Sequence, residues 1–108
     1  MNRKEYQHNW YLAHKDEHIA RSRRRKQEIW KWFKELKLSL KCSVCGEDHI
    51  ACLTFHHDDP KEKERDIAYM VYQGWSKRKI LEEIEKCTVM CENCHRKYHW
   101  EEKQRALV

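Results

Sequence analysis

Cys42-x-x-Cys45 and Cys91-x-x-Cys94 place four thiols in two pairs of equal spacing. Each pair can present both sulfurs to one cation, and two pairs together close a tetrahedral zinc shell with no position left for water. Gly46, directly after Cys45, permits the tight turn such a pair needs. A closed four-thiolate site holds structure and performs no chemistry. Histidines supply a second donor set. His95 and His99 are i and i+4 on a helix expected to start near Glu92 or Asn93 and to run to about Gln104, so they share one face and can offer two imidazoles to one cation. His56 and His57 stand at the end of a strand expected over Ile50–Phe55, closed by Asp58, Asp59 and Pro60. If all four cysteines hold one zinc, the last helix starts beside that strand end, and the four histidines converge next to the zinc and not within it. The plainer reading makes His99 a surface residue and His57 a satisfied hydrogen-bond partner. It suits a lone histidine better than two local pairs. Cys52 and Cys87 are left over and are expected to be buried free thiols.

The elements that carry these residues follow from composition and pattern. The chain has 108 residues, enough for one domain, with 38% charged residues and a mean hydropathy of −1.12. Its apolar core must be small, and a metal is a common supplement to such a core. No N-terminal apolar run with a cleavage site and no stretch of membrane-spanning length occurs, which points to a reducing cytoplasm and to zinc in place of disulfides. Residues 1–40 hold no Pro or Gly. Ile29, Trp30, Trp32, Phe33 and Leu36 predict a helix over residues 17–38, preceded by a shorter, looser helix around Tyr6, Trp10, Tyr11 and Ala13. These aromatics are expected to anchor the arm to the rest of the chain, with base stacking by Trp30 or Trp32 the lesser alternative. Asp66 is placed to cap a helix over Ile67–Gln73 stopped by Gly74. Ser76 is placed to cap a second helix with Ile80, Leu81 and Ile84 as its apolar stripe. A helix-turn-helix is one label for residues 66–86; two packing helices that bridge the halves of the zinc module is the preferred one.

Charge is unevenly spread. Residues 1–41 carry 12 Lys/Arg and 5 Asp/Glu, a net +7, whereas residues 42–108 carry 11 and 13, a net −2. A basic arm on a near-neutral module points to a polyanion, nucleic acid being the commonest. Arg21, Arg23, Arg24, Arg25 and Lys26 are the densest run. They wrap around a helix, so some face phosphates or, in the alternative reading, solvent alone.

The stretches "CSVCG", "LTFHHDDP" and "EIEKCTVMCENCHRKYH" together resemble an HNH endonuclease of the ββα-metal (His-Me finger) class that carries a four-cysteine zinc. The resemblance spans about residues 41–100. It implies an α+β fold: a small ββα-metal and zinc-knuckle module over 41–108, with a basic helical arm over 1–40 packed on it and two inserted helices. It implies a phosphodiesterase acting on DNA, mainly through backbone phosphates, with no membrane partner. It assigns His57 as general base, and His56, His95 and His99 as ligands of a catalytic divalent metal. All-imidazole ligation suits Mn, Ni or Zn, and Mg remains open if phosphate and water complete the shell. Arg96 and Lys97, near the start of the last helix, are placed to steady the phosphate or simply to face solvent. One departure stands out. The asparagine of the family falls near Lys86 or Cys87, where this chain has none, and Asn93 is the nearby candidate for that role or for a helix cap. The main rival is a non-catalytic zinc module that binds DNA or RNA, and a third reading is a zinc-cored protein-interaction adaptor. Both account for the cysteines but not for the two histidine pairs.

Overall fold

Helix α1 runs unbroken from Arg3 to Lys37, with the Asn2 side chain capping it through Glu5 N–H. At about 1.5 Å per residue, 35 helical residues span roughly 52 Å, which accounts for most of the 67 Å long dimension. The computed structural model describes residues 1–107. The two helices expected before residue 38 are therefore one. Nothing between them breaks a helix, because the segment holds no Pro or Gly and its many Arg, Lys, Glu and Gln residues favour helix. The arm packs only through its second half. Ile29 and Phe33 are buried and Trp32 and Leu36 are half-buried, while Tyr6, Trp10, Tyr11 and Trp30 are exposed. The expected anchoring thus holds for Trp32 and Phe33 but not for those four aromatics. Trp10 instead stacks on His14 of its own helix, with ring centroids 4.2 Å apart.

After the Cys42–Cys45 turn, Ile50–Cys52 form a single 3-10 turn and strand β1 follows over Leu53–His57. The strand begins three residues later than its pattern suggests and includes both histidines. The cause is local: His49 Nδ1 accepts a hydrogen bond from Ala51 N–H at 3.1 Å, which curls the chain before it extends. Asp59 caps a second 3-10 turn over Pro60–Glu62. Helix α2 spans Ile67–Tyr72 and helix α3 spans Lys77–Ile84, with Gly74 between them at φ +72°. Ser76 caps α3 through Lys79 N–H, as expected. Asp66 makes no side-chain cap bond to α2 and pairs with Lys63 instead.

Strand β2, Cys87–Cys91, pairs antiparallel with β1 in the register Leu53–Cys91 to His57–Cys87. Helix α4 follows at once over Glu92–Ala106. The described residues form an α+β arrangement of four helices and a two-stranded sheet. A lone two-stranded sheet is marginal in water, and this one is held from both sides. One cluster joins Ile29 and Phe33 of α1 to Ile67, Met70, Val71 and Ile80, with Phe55 against Phe33 at 5.7 Å. A second joins Cys42, Leu53, Met90 and Cys91, with Tyr98 of α4 against it. Helices α2 and α3 therefore tie α1 to the sheet. Among the described residues, no helix is long and apolar enough to cross a membrane.

Candidate active site

The four cysteine sulfurs all lie within 4.8 Å of one another. Cys45 Sγ and Cys91 Sγ are 3.6 Å apart, close to the roughly 3.8 Å separating two sulfurs on a tetrahedral zinc with bonds of about 2.3 Å. The two pairs are built alike. Cys45 N–H donates to Cys42 Sγ at 3.5 Å and Cys94 N–H donates to Cys91 Sγ at 3.4 Å. Amide donation of this kind favours thiolates, and the backbone amide of Cys45, ahead of those of Cys91 and Val44, draws Cys42 down to about 6. The Cys91 sulfur, with burial next, pushes Cys94 up to about 12. Four sulfurs this close cannot all be charged unless a cation lies between them, so the set is compatible with a zinc site. Gly46, at φ +81° with nothing within 4 Å of where a Cβ would stand, makes the turn by its backbone freedom alone. Cys52 and Cys87 lie outside the cluster, both half-buried. Burial pushes Cys87 up to about 11.

Three of the four histidines meet one residue further along α4. His56 is buried in β1 and faces His95, Tyr98 and His99, with ring centroids at 5.3, 4.4 and 5.3 Å. Donor atoms of His56, His95 and His99 all lie within 4.8 Å of one another. His95 Nε2 and His99 Nε2 approach to 3.0 Å, and two metal–nitrogen bonds of about 2.1 Å meeting at 90–110° span roughly 2.9–3.4 Å. Glu102 Oε1 lies 3.0 Å from His99 Nδ1. A carboxylate there accepts a hydrogen bond from Nδ1–H and leaves the Nε2 lone pair facing His95, the arrangement in which a histidine is oriented toward a metal. Burial first, then the neighbouring His99, holds both His56 and His95 below the ordinary histidine value. Both rings are therefore neutral near pH 7, with lone pairs available. The donor set fits a divalent transition ion.

His57 goes elsewhere. Strand periodicity sends its ring to the face opposite His56, where Nε2 meets Glu83 Oε1 at 2.9 Å. Glu83 is 1% exposed. It also accepts from Glu64 N–H at 3.0 Å and from Lys86 Nζ at 2.9 Å. Burial alone would raise Glu83, but the bonds from Lys86, Glu64 and His57 outweigh it and hold the carboxyl below its ordinary value. The sequence reading missed Glu83. Its one signal was position: it lies three residues after Ile80 and so shares the buried side of α3, whereas Leu81 of the expected stripe is exposed.

All four histidines line one cleft of about 580 Å³ that follows β1 from Leu53 to His57, with Phe33, Lys37 and the Pro60–Tyr69 segment completing it. Lys37, from the last turn of α1, is half-buried there. Burial lowers it and Glu92 partly offsets that. Arg96 borders a smaller groove with His95 and His99, while Lys97 is exposed on α4 and lines neither. Asn93 is exposed in the first turn of α4 and is not among the residues lining the cleft. It does not cap the helix either, because the Cys91 sulfur does. On α1, Arg21, Arg25 and Lys26 line a groove with Lys79 and Ser76, and Arg23 lines a second groove with Lys26 and Trp30. Arg24 is exposed and borders neither. No family model, curated protein or solved structure matches the chain.

Proposed function

We propose that this chain is a metal-dependent endonuclease of the HNH, ββα-metal kind that hydrolyses phosphodiester bonds in DNA, and that its four-cysteine cluster holds a structural zinc. One observation carries the reading: His56, His95 and His99 converge within 4.8 Å, one residue past a four-sulfur cluster on the same helix start. Packing the buried His56 and the half-buried His95 against His99 costs desolvation unless the three serve a cation. A structural zinc with four sulfurs leaves that trio free for chemistry.

His56, His95 and His99 would hold a divalent cation, which would supply positive charge to offset the negative charge developing on the phosphate and the leaving oxygen. The chain's own groups do the rest. His57 takes a proton from a water whose oxygen attacks phosphorus, the bond from phosphorus to O3′ breaks, and the 3′ oxygen gains a proton from solvent. Lys37, lining the same cleft, adds positive charge beside the phosphate. The basic residues of α1 grip the backbone away from the cut and give affinity without sequence preference.

The test is nicking of supercoiled plasmid by zinc-loaded protein with Mn or Mg, and without added metal. His99→Ala and His57→Ala serve as variants of unchanged zinc content. Metal-dependent nicking lost in both variants supports the reading. Tight, salt-sensitive DNA binding with no cleavage under any divalent metal replaces it with a zinc-stabilised binding module.

A further inference from the structure

We propose that Glu83 is the positioning residue of the reaction: its buried carboxylate accepts a hydrogen bond from the Nε2–H of His57 and thereby makes Nδ1 the nitrogen that accepts the proton of the attacking water. The inference rests on the nuclease reading and adds a residue to it.

A neutral imidazole has one N–H and one lone pair, and whichever nitrogen donates leaves the other as base. Glu83 Oε1 stands 2.9 Å from His57 Nε2. The same carboxylate accepts from the Lys86 ammonium and the Glu64 amide, two donors that stabilise its ionised form. An ionised carboxylate only accepts, so Nε2 must carry the hydrogen. The ring is thereby fixed in one tautomer and one orientation. Nδ1 is left without a hydrogen-bond partner among the described residues, on a ring that borders the cleft shared with the three other histidines. Glu83 reaches no cleft surface itself, being 1% exposed, so it acts only through His57. A second feature points the same way. Burying a carboxylate is costly, and replacing such a group by an apolar one is often neutral or stabilising. Stability alone therefore does not call for a buried carboxylate here, whereas a general base gains a fixed tautomer from it. Removal of the carboxylate from an aligned base–carboxylate pair lowers turnover by up to about 10⁴-fold where it upsets the tautomer.

The test uses the zinc-loaded full chain. Two-bond ¹⁵N–¹H correlations of the imidazoles, assigned by the signal lost in His57→Ala, report the His57 tautomer. Plasmid nicking in Mn reports kcat and KM. The expected result is an Nε2–H tautomer in the unmodified protein. Glu83→Gln is expected to lower kcat by roughly 10²- to 10⁴-fold, with KM and zinc content unchanged. An Nδ1–H tautomer in the unmodified protein overturns the proposal, and this readout stands even if Glu83→Gln does not fold. Cleavage by Glu83→Gln at the unmodified rate overturns it too, as does a parallel change in KM and zinc content, which marks a structural role. Absence of cleavage by the unmodified protein under every divalent metal overturns the nuclease reading and the proposal with it. That outcome is distinct from the case in which both proteins cleave equally.

Discussion

Single residues divide here by what holds them. The first cysteine of each pair, Cys42 or Cys91, is oriented by backbone amides two or three residues away, so the C-x-x-C spacing already expresses that geometry. His99 is oriented by Glu102, three residues on, across one helical turn. Glu102→Gln keeps the shape but weakens the acceptor, and it is expected to reduce Mn or Co affinity of the zinc-loaded protein by roughly 10- to 100-fold. Calorimetric titration checks this, and an unchanged affinity would show that His99 needs no such support. Glu83 differs, because its partners come from the turn after α3, from β1 and from the loop before α2. No spacing rule reaches across 19 or 26 residues, so it was invisible beforehand, while the histidine trio and the sulfur cluster were legible. Its effect on stability has a definite sign. A carboxyl held below its unfolded value stabilises the fold fully above about pH 4.3, and that contribution fades as pH falls through the lower, folded value. Thermal melts of the unmodified protein should therefore drop more steeply below pH 4 than those of Glu83→Gln, and parallel curves would count against the ionised buried pair.

Elements succeed or fail as positioners according to how tightly they are joined. Cys94 and His95 are adjacent in α4, and Cys91 both ends β2 and caps α4 through its sulfur. Any force that fixes the sulfurs therefore also fixes where the histidine face of α4 points. One strand before the last helix could be read from the sequence, as could the starts of α3 and α4, because Ser76 and the C-x-x-C pair mark them; the second strand was implied only by the ββα resemblance. The start of β1 could not, since the turn made by His49 depends on one side-chain bond. Nor could the single span of α1, whose first half has no apolar stripe for a packing partner to select. Gly74 is the critical joint between α2 and α3. It sits at φ +72°, and a Cβ there would meet Lys26 Cγ at 3.0 Å, so the same residue stops α2 and lets α1 approach. Gly74→Ala should cost about 1–2 kcal/mol from the left-handed backbone alone, with a further penalty from the Lys26 stem. Gly46→Ala, at φ +81° in open space, should incur only the backbone cost. Denaturant melts of the two variants separate the terms, and equal losses would mean that the contact with α1 yields freely.

Across the whole molecule, charge and shape are arranged end to end. The histidine cleft lies where the C-terminal half of α1 meets the sheet. The helix then projects away, carrying its positive charge beyond the folded core. Nearly all of residues 3–25 are exposed. Arg21, Arg25 and Lys26 share one groove with Lys79, and none of these four forms an ion pair among the described residues. Unpaired cations facing one groove repel each other, and a phosphate backbone laid along it removes that repulsion while releasing its own counterions. Arg21→Ala combined with Arg25→Ala should thus weaken DNA binding for every sequence alike. It should also make the slope of log affinity against log salt shallower by about 1.8, which is 0.9 for each lost phosphate contact. Fluorescence anisotropy on several unrelated duplexes at 50–200 mM salt checks both parts. A loss confined to one duplex would mean that these arginines read bases and not phosphates. An unchanged slope would move the polyanion path off α1 and onto the Arg96 face of α4. Because neither arginine lines the cleft that holds His57, cleavage at saturating DNA should keep its rate in the double variant. A fall in that rate would mean the arm positions the scissile phosphate as well as holding the strand.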